Sequence, residues 1–323
     1  MNDITRRTAL GFGLATLAPV LRAQNEWPTR PVLFLIGFAA GGPNDLVARA
    51  LSQRLSEQLK QQFVVDNRPG ANGNIAAAAV VRATPDGYTF LYNSSSIALS
   101  PALYRRNMVD PLHDLAPVNG TATSPMVCVV EASFPANNFA EWVAQLRANP
   151  GRFNYGSPGI GNLAHVVMAM ILKANGLSAV HTPYKGSSEA LQGLIGGSTQ
   201  FQLDSPNSSQ ALIKAGRIKP LFVTSGRRSP ILPKVPTLAE SGFQNIDATA
   251  WQGVMAPAKT PPAVVQRLAA EIATAMNSSE MKATLTVQGN YSIALTPERY
   301  AAFLAEQMDR YKTAVDDLDL KIE

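Results

Sequence analysis

The chain has 323 residues, 46% apolar and 16% charged, a composition that fills sizeable cores and excludes intrinsic disorder; the length suits two domains better than one. The formal charge is +5, but residues 1–23 hold Arg6, Arg7 and Arg22 against Asp3, so the remainder carries +3. No Lys/Arg run exceeds a pair, which excludes the basic footprint of a nucleic-acid binder and leaves a mild bias towards anions.

Arg6 and Arg7 precede an apolar stretch over 9–21 that ends at Ala23, before Gln24. A charged start, a short apolar run and a small residue at the cut make residues 1–23 a secretory signal peptide, so a periplasmic mature protein is expected. The stretch is too short to span a bilayer, and no later segment reaches about 18 uninterrupted apolar residues. Thr5-Arg6-Arg7 also resembles a twin-arginine signal, with Ala9 where a bulkier residue is usual. Both the twin-arginine and the general export route fit.

Strands and helices then alternate. Val32-Leu33-Phe34-Leu35-Ile36 predicts a fully buried strand. Leu46, Val47, Ala50, Leu51, Leu55 and Leu59 share one face of a helix over 44–61. Short strands are predicted at 63–65 and 88–92, with an Ala/Val helix over 74–83 between them, stopped by Thr84-Pro85-Asp86-Gly87. A second series starts at 127–130, where Cys128, the only cysteine, excludes an internal disulfide and reads as an inert core thiol. A helix from Asn138 with Glu141 has a capping-box pattern. An apolar helix follows Gly161, then a strand near Val180, a helix over 188–195 and strands at 201–203 and 221–223. Thr260-Pro261-Pro262 and Thr296-Pro297 each read as an N-cap before a helix-starting proline. The last helix carries Tyr300, Phe303, Leu304, Met308, Tyr311 and Val315 as its apolar stripe. This alternation predicts parallel sheets with helices on both faces.

The usual signatures of catalysis are missing. There is no GxSxG elbow, HExxH or Walker loop, and His113, His165 and His181 lie far apart with no second ligand at metal spacing. No catalytic residue, metal or cofactor is expected. What the chain does have is two glycine loops, each leading from a strand into a helix. The first holds Gly41, Gly42, Pro43 and Asp45; the second holds Ser157, Gly159, Gly161 and Asn162, ahead of His165. Glycine lets backbone N–H groups approach a ligand, and helix N-termini add donors and partial positive charge. Either loop alone is an ordinary tight turn; one per domain could hold the two ends of a bifunctional acid.

The residues also carry a family resemblance, over nearly the whole chain from Trp27 onward. It rests on Trp27-Pro28-Thr29-Arg30-Pro31, on Phe38 with Gly41, Gly42 and Asp45, on Asn67-Arg68-Pro69-Gly70-Ala71-Asn72-Gly73-Asn74-Ile75, and on Pro85-Asp86-Gly87-Tyr88-Thr89. Asn154-Tyr155-Gly156-Ser157, Pro183-Tyr184-Lys185-Gly186, Ile213-Lys214-Ala215-Gly216, Val235-Pro236-Thr237 and Ala256-Pro257-Ala258 extend it. The chain resembles the Bug-type extracytoplasmic solute receptors of tripartite tricarboxylate transporters.

That resemblance implies an α/β, two-lobed periplasmic-binding-protein fold of the Venus-flytrap, type II-like kind, with two crossover strands. Lobe one would be 24–124 plus 250–323, and lobe two 125–249. It implies a periplasmic receptor, not an enzyme, that captures a small carboxylate (a dicarboxylate, an amino acid or an aromatic acid) and delivers it to the membrane subunits of a transporter, as a monomer without cofactor. The ligand contacts it implies are Gly41, Gly42, Asp45, Asn93, Ser94 and Ser95 from lobe one. From lobe two come Ser157, Gly159, Gly161, Asn162 and His165, with Tyr184, Lys185 and Asp204 nearby. Two positions depart from the family pattern. Pro43 removes one N–H donor, and Ala169 stands where an acidic residue is common. Plainer readings of the same residues are Asp45 as a helix cap, His165 as a partly buried helix residue, Tyr184 and Lys185 as a solvated turn, and Trp251 as hinge or core. An exported sensor, or an enzyme with an unfamiliar site, remains compatible with the residues.

Overall fold

The computed structural model describes residues 27–104, 109–243 and 248–320; the expected leader at 1–23 lies outside them. The first half of the chain forms β1 (Val32–Ile36), α1 (Pro43–Leu59), β2 (Phe63–Asn67), a 3-10 turn (Ala71–Gly73), α2 (Asn74–Val81), β3 (Thr89–Ser94), α3 (Ser96–Leu103) and β4 (Leu115–Ser124). There follow β5 (Val127–Glu131), α4 (Phe139–Ala148), β6 (Asn154–Ser157), α5 (Leu163–Ala174), β7 (Val180–Pro183), α6 (Ser187–Ile195), β8 (Phe201–Asp204), α7 (Pro206–Lys214) and β9 (Ile218–Val223). The chain ends with β10 (Ala250–Pro257), α8 (Pro262–Asn277), α9 (Ser279–Val287), β11 (Tyr291–Leu295) and α10 (Pro297–Leu318).

Two sheets result, in the orders β11-β4-β10-β3-β1-β2 and β7-β6-β8-β5-β9. Each has a parallel half: β1 pairs in parallel with β2 and β3, and β6 with β7 and β8. The rest is antiparallel, because β10 runs against both β3 and β4, and β5 against both β8 and β9. The expectation of parallel sheets is therefore corrected to two mixed ones. The antiparallel strands are the ones that carry the chain between sheets. Sequence patterning hides β4 in particular, since Pro117 and Asn119-Gly120 look like a turn; pairing with β10 on one side and β11 on the other overrides that local preference.

The crossovers lie side by side. Ser124 pairs with Ala250, Thr224 N–H donates to the Met126 carbonyl (2.9 Å), and Ala248 N–H donates to the Thr224 carbonyl (3.1 Å). Nearby, Trp251 is fully buried, edge-on to Tyr300 and Phe303, so it belongs to the core. One apolar core lies between the first sheet, α1 and α8. A second runs from α2, α3 and α10 to α5 and α4 of the other lobe and includes Cys128. Burial pushes the Cys128 thiol far above its ordinary range, which keeps it inert.

Local signals behave mostly as read. Asn138 caps α4 by accepting from Glu141 N–H (2.9 Å), and Glu141 reaches back to Asn137 N–H (2.8 Å). Thr296 caps α10. Thr260 does not cap α8: the residue before that helix is Pro261, and the Thr260 hydroxyl is buried without a partner among the described residues. Several family motifs hold the scaffold together. The Trp27 indole donates to the Gly87 carbonyl (2.9 Å), and Arg30 pairs with Asp86 (2.8 Å).

Candidate ligand cleft

Parallel strands end together, and α/β sheets place their sites at those ends. β1 and β3 run into α1 and α3, while β6, β7 and β8 run into α5, α6 and α7. Asn72, in the turn after β2, touches the loop after β6: its Nδ2 donates to the Gly161 carbonyl at 3.0 Å. The strand ends of the two lobes thus face one another across a single cleft.

The first-lobe wall is a recess lined by Gly37, Phe38, Asn72, Gly73, Asn93, Ser94 and Ser96. Its loops touch backbone to backbone. A Cβ on Gly37 would stand 2.3 Å from the Gly73 Cα, so only glycine allows this approach. Asp45, buried, organises the glycine loop from beneath. It accepts from Gly41 N–H (2.9 Å), Arg49 Nε (2.8 Å) and Asn67 Nδ2 (2.9 Å). Burial raises its pKa, but these three partners outweigh burial and hold the carboxyl below its usual range. With three donors already bound, Asp45 acts as the loop's internal anchor. Gly41 spends its N–H on that anchor, whereas Gly42 is the N-cap residue of α1, where helical N–H groups lack internal acceptors.

Further along this wall, the Asn93 amide is buried against the Tyr300 hydroxyl (2.8 Å), and Ser95 Oγ accepts from Trp251 N–H (3.3 Å). Both are taken up in the scaffold. Ser94 is half-buried and faces the recess; its Oγ accepts from Ser96 N–H (3.3 Å). Two residues absent from the expected set prove central. The Ser96 hydroxyl donates to Asn72 Oδ1 (3.0 Å), fixing the same amide that reaches Gly161. Asn72 sits in left-handed backbone (φ 54°) inside the Asn67–Ile75 motif, and the Asn72-Gly73 pair in that motif was the turn signal available in the sequence.

The second-lobe loop is closed on itself. Ser157 Oγ donates to the Gly159 carbonyl (2.9 Å) and accepts from Gly159 N–H (3.2 Å). Gly161 N–H donates to His165 Nδ1 (3.1 Å), and Asn162 caps α5 by accepting from Ala164 N–H (3.0 Å). The amides of Gly159 and Gly161 are thus used within the loop. His165 is buried, and its imidazole stacks on His181 with centroids 3.7 Å apart and planes 8° from parallel. His181 Nε2 also meets Ser157 Oγ at 2.7 Å. The histidines are distant in sequence only. Burial lowers both pKa values to about 4, and His165 pushes His181 down further, so the pair is neutral at pH 7.

The Tyr184 ring covers Gly156 and Gly193, between β6 and α6, while Lys185 is exposed. Asp204 ends β8, buried between the starts of α6 and α7. Its Oδ2 accepts from the Ser209 hydroxyl (2.6 Å), and Oδ1 has no well-formed hydrogen bond among the described residues. Burial raises its pKa to about 6 against the pull of Ser209, Ser187 and the Ser205 amide. Among the described residues no cluster of metal-ligating side chains occurs.

The family model for the tripartite tricarboxylate transporter family receptor matches residues 47–320. The protein BugT of Bordetella pertussis is 30% identical over 328 residues, covering all of both chains. The R. palustris protein Rpa4515, solved with adipate, is 32% identical with a TM-score of 0.86 over 92% of this chain and 100% of its own. The periplasmic binding protein BugD is 30% identical, with a TM-score of 0.83 over the same shares. A family match across most of the chain, a full-length relative and this shared two-lobed fold agree: the chain belongs to the tripartite tricarboxylate transporter receptors, the Bug-type solute-binding proteins.

Proposed function

We propose that this chain captures a small dicarboxylate between its lobes and hands it to the membrane subunits of a transporter. The observation that carries this reading is the convergence of helix N-termini. α1 and α3 start on one wall, α5, α6 and α7 on the other, and each follows a strand that ends at the cleft. Each N-terminus brings unsatisfied N–H groups and partial positive charge, so both walls favour an anion without a buried arginine. The adipate held by Rpa4515 is an acid of this class. Ligand contacts are assigned to Gly42, Ser94 and the first turns of α1 and α3 on one side. On the other they are assigned to the first turns of α5, α6 and α7, which the loop of Ser157, Gly159, Gly161 and Asn162, with His165 and Asp204, sets in place from behind. Asp45 and Asn93 position the loops behind these contacts.

The same reading makes the mature protein a periplasmic monomer that starts near Gln24 and binds without turnover. Lobe one is 24–124 plus 250–323, and lobe two is 125–249. A thermal-shift screen of mono-, di- and tricarboxylates tests it. The right acid, at 100 times its Kd, adds about 2.7 kcal/mol of stability. A screen in which no carboxylate raises Tm, or in which the stabilising acid is consumed, would overturn the proposal.

A further inference from the structure

A second hollow lies away from the cleft, where the crossover strands meet the outer edge of the six-stranded sheet. It is a groove of about 320 Å³, open to solvent and lined by Thr123, Pro125, Ser225, Arg227, Thr249 and Tyr291. None of these residues lines the recess of the cleft. The walls come from both lobes: Thr123 and Tyr291 are paired in the first sheet, while Ser225 and Arg227 follow β9 of the second.

Arg227 is held in a defined place. Its guanidinium carbon lies 3.4 Å from the ring centroid of Tyr291. The Tyr291 hydroxyl donates to the Arg228 carbonyl (2.6 Å), which fixes the platform, and the Ser225 hydroxyl donates to the Arg227 carbonyl (2.6 Å), which fixes the arginine backbone. The neighbouring charge is already used, since Arg228 Nε lies 2.9 Å from Glu240 Oε2. Arg227 has no ion pair among the described residues. A guanidinium stacked on an aromatic face keeps its in-plane N–H donors, and these match the two oxygens of a carboxylate.

We propose that this groove is a second binding site, separate from the cleft, which takes the carboxylate of a small organic acid on the Arg227 guanidinium. Its volume stands at the lower end of the roughly 300–1,000 Å³ range of small-molecule sites, and Thr123, paired with Tyr291, lines the same groove. A ligand there touches both lobes, so its affinity depends on the hinge angle and couples to closure of the cleft.

Arginine-¹⁵Nε NMR on the full mature chain tests the site, with succinate, acetate and inorganic phosphate as probes and Arg227→Lys to assign the signal. The expected result is a saturable shift of the Arg227 signal with succinate and acetate, and binding at least about tenfold weaker in Arg227→Gln when followed on the Tyr291 backbone amide. The shift persists in Gly42→Val, which alters only the cleft. A signal that neither acid moves would overturn the proposal, as would a shift that disappears in Gly42→Val. Phosphate binding more tightly than either acid would overturn the assignment to a carboxylate.

Discussion

His165 and His181 lie face to face at 3.7 Å, and through them the cleft loop is tied to the middle of the second lobe. His165 Nδ1 takes the Gly161 N–H, and His181 Nε2 holds Ser157 Oγ. A protonated Nδ1 cannot accept, so the arrangement requires His165 neutral, and burial together with the neighbouring ring disfavours a charge on His181.

This sets a pH dependence. Both folded pKa values, about 4, lie below the unfolded value near 6.5. The unfolded chain therefore binds more protons between those limits. The pair's contribution is complete above pH 6.5 and is lost as pH falls towards 4, by on the order of a few kcal/mol. Asp204, raised to about 6, acts with the opposite sign and offsets part of the loss as it protonates. Urea unfolding at pH 7 and 4.5 should show this decline, shallower in His181→Phe and steeper in Asp204→Asn.

Asn72 is the next test, because its amide is the contact that spans the cleft. Asn72→Ala removes the bonds to Gly161 and Ser96 from a loop on the surface of the cleft. We expect ligand affinity to fall by about 1 kcal/mol, roughly fivefold, and global stability to fall by about 1 kcal/mol because alanine tolerates the left-handed backbone of this position less well than asparagine. Small-angle scattering of the ligand-free variant should give a larger radius of gyration than wild type. Equal radii would show that the bond does not hold the lobes together.

Gly37→Ala should be far more damaging than its size suggests. The new Cβ would meet the Gly73 Cα at 2.3 Å, and backbone cannot swing aside as a side chain can. A loss of about 2 kcal/mol or more is expected in urea unfolding, typical of overpacking against a fixed neighbour. Gly186→Ala, where a Cβ meets nothing within 4 Å, serves as the control.

Cys128 gives a probe of global opening. Its thiol is fully buried and held in the protonated state, so native protein should not react with a thiol reagent at pH 8. Reaction should begin only as denaturant unfolds the lobe that contains β5.

Most elements could be read from the sequence where one physical signal dominated: the apolar run of β1, the capping pair at Asn138 and Glu141, and Thr296 before α10. β4 could not, because its strand character comes from its neighbours and its own residues favour a turn. The cleft was legible in outline only. Both glycine loops stand at strand ends, as their spacing suggests. Which amides they spend internally depends on contacts distant in sequence, such as Asn67 with Asp45 and His181 with Ser157. Asn72 and Ser96 went unnoticed because their bond joins loops 24 residues apart, and the bond from Asn72 to Gly161 joins loops 89 residues apart.

The central claim is that helix N-termini and backbone amides, without a basic side chain, hold the anion. Isothermal titration with the stabilising dicarboxylate tests it most directly, comparing wild type, Gly42→Val and Lys185→Ala, with circular dichroism to confirm folding. Gly42 has ordinary backbone angles (φ −76°, ψ 169°) and heads α1, so valine there should fold yet fill the space the carboxylate needs. The account predicts no measurable binding for Gly42→Val and a loss under about tenfold, roughly 1.4 kcal/mol, for Lys185→Ala. Normal binding by a folded Gly42→Val, with Lys185→Ala the more damaging change, would contradict it and put a salt bridge in place of the helix N-termini.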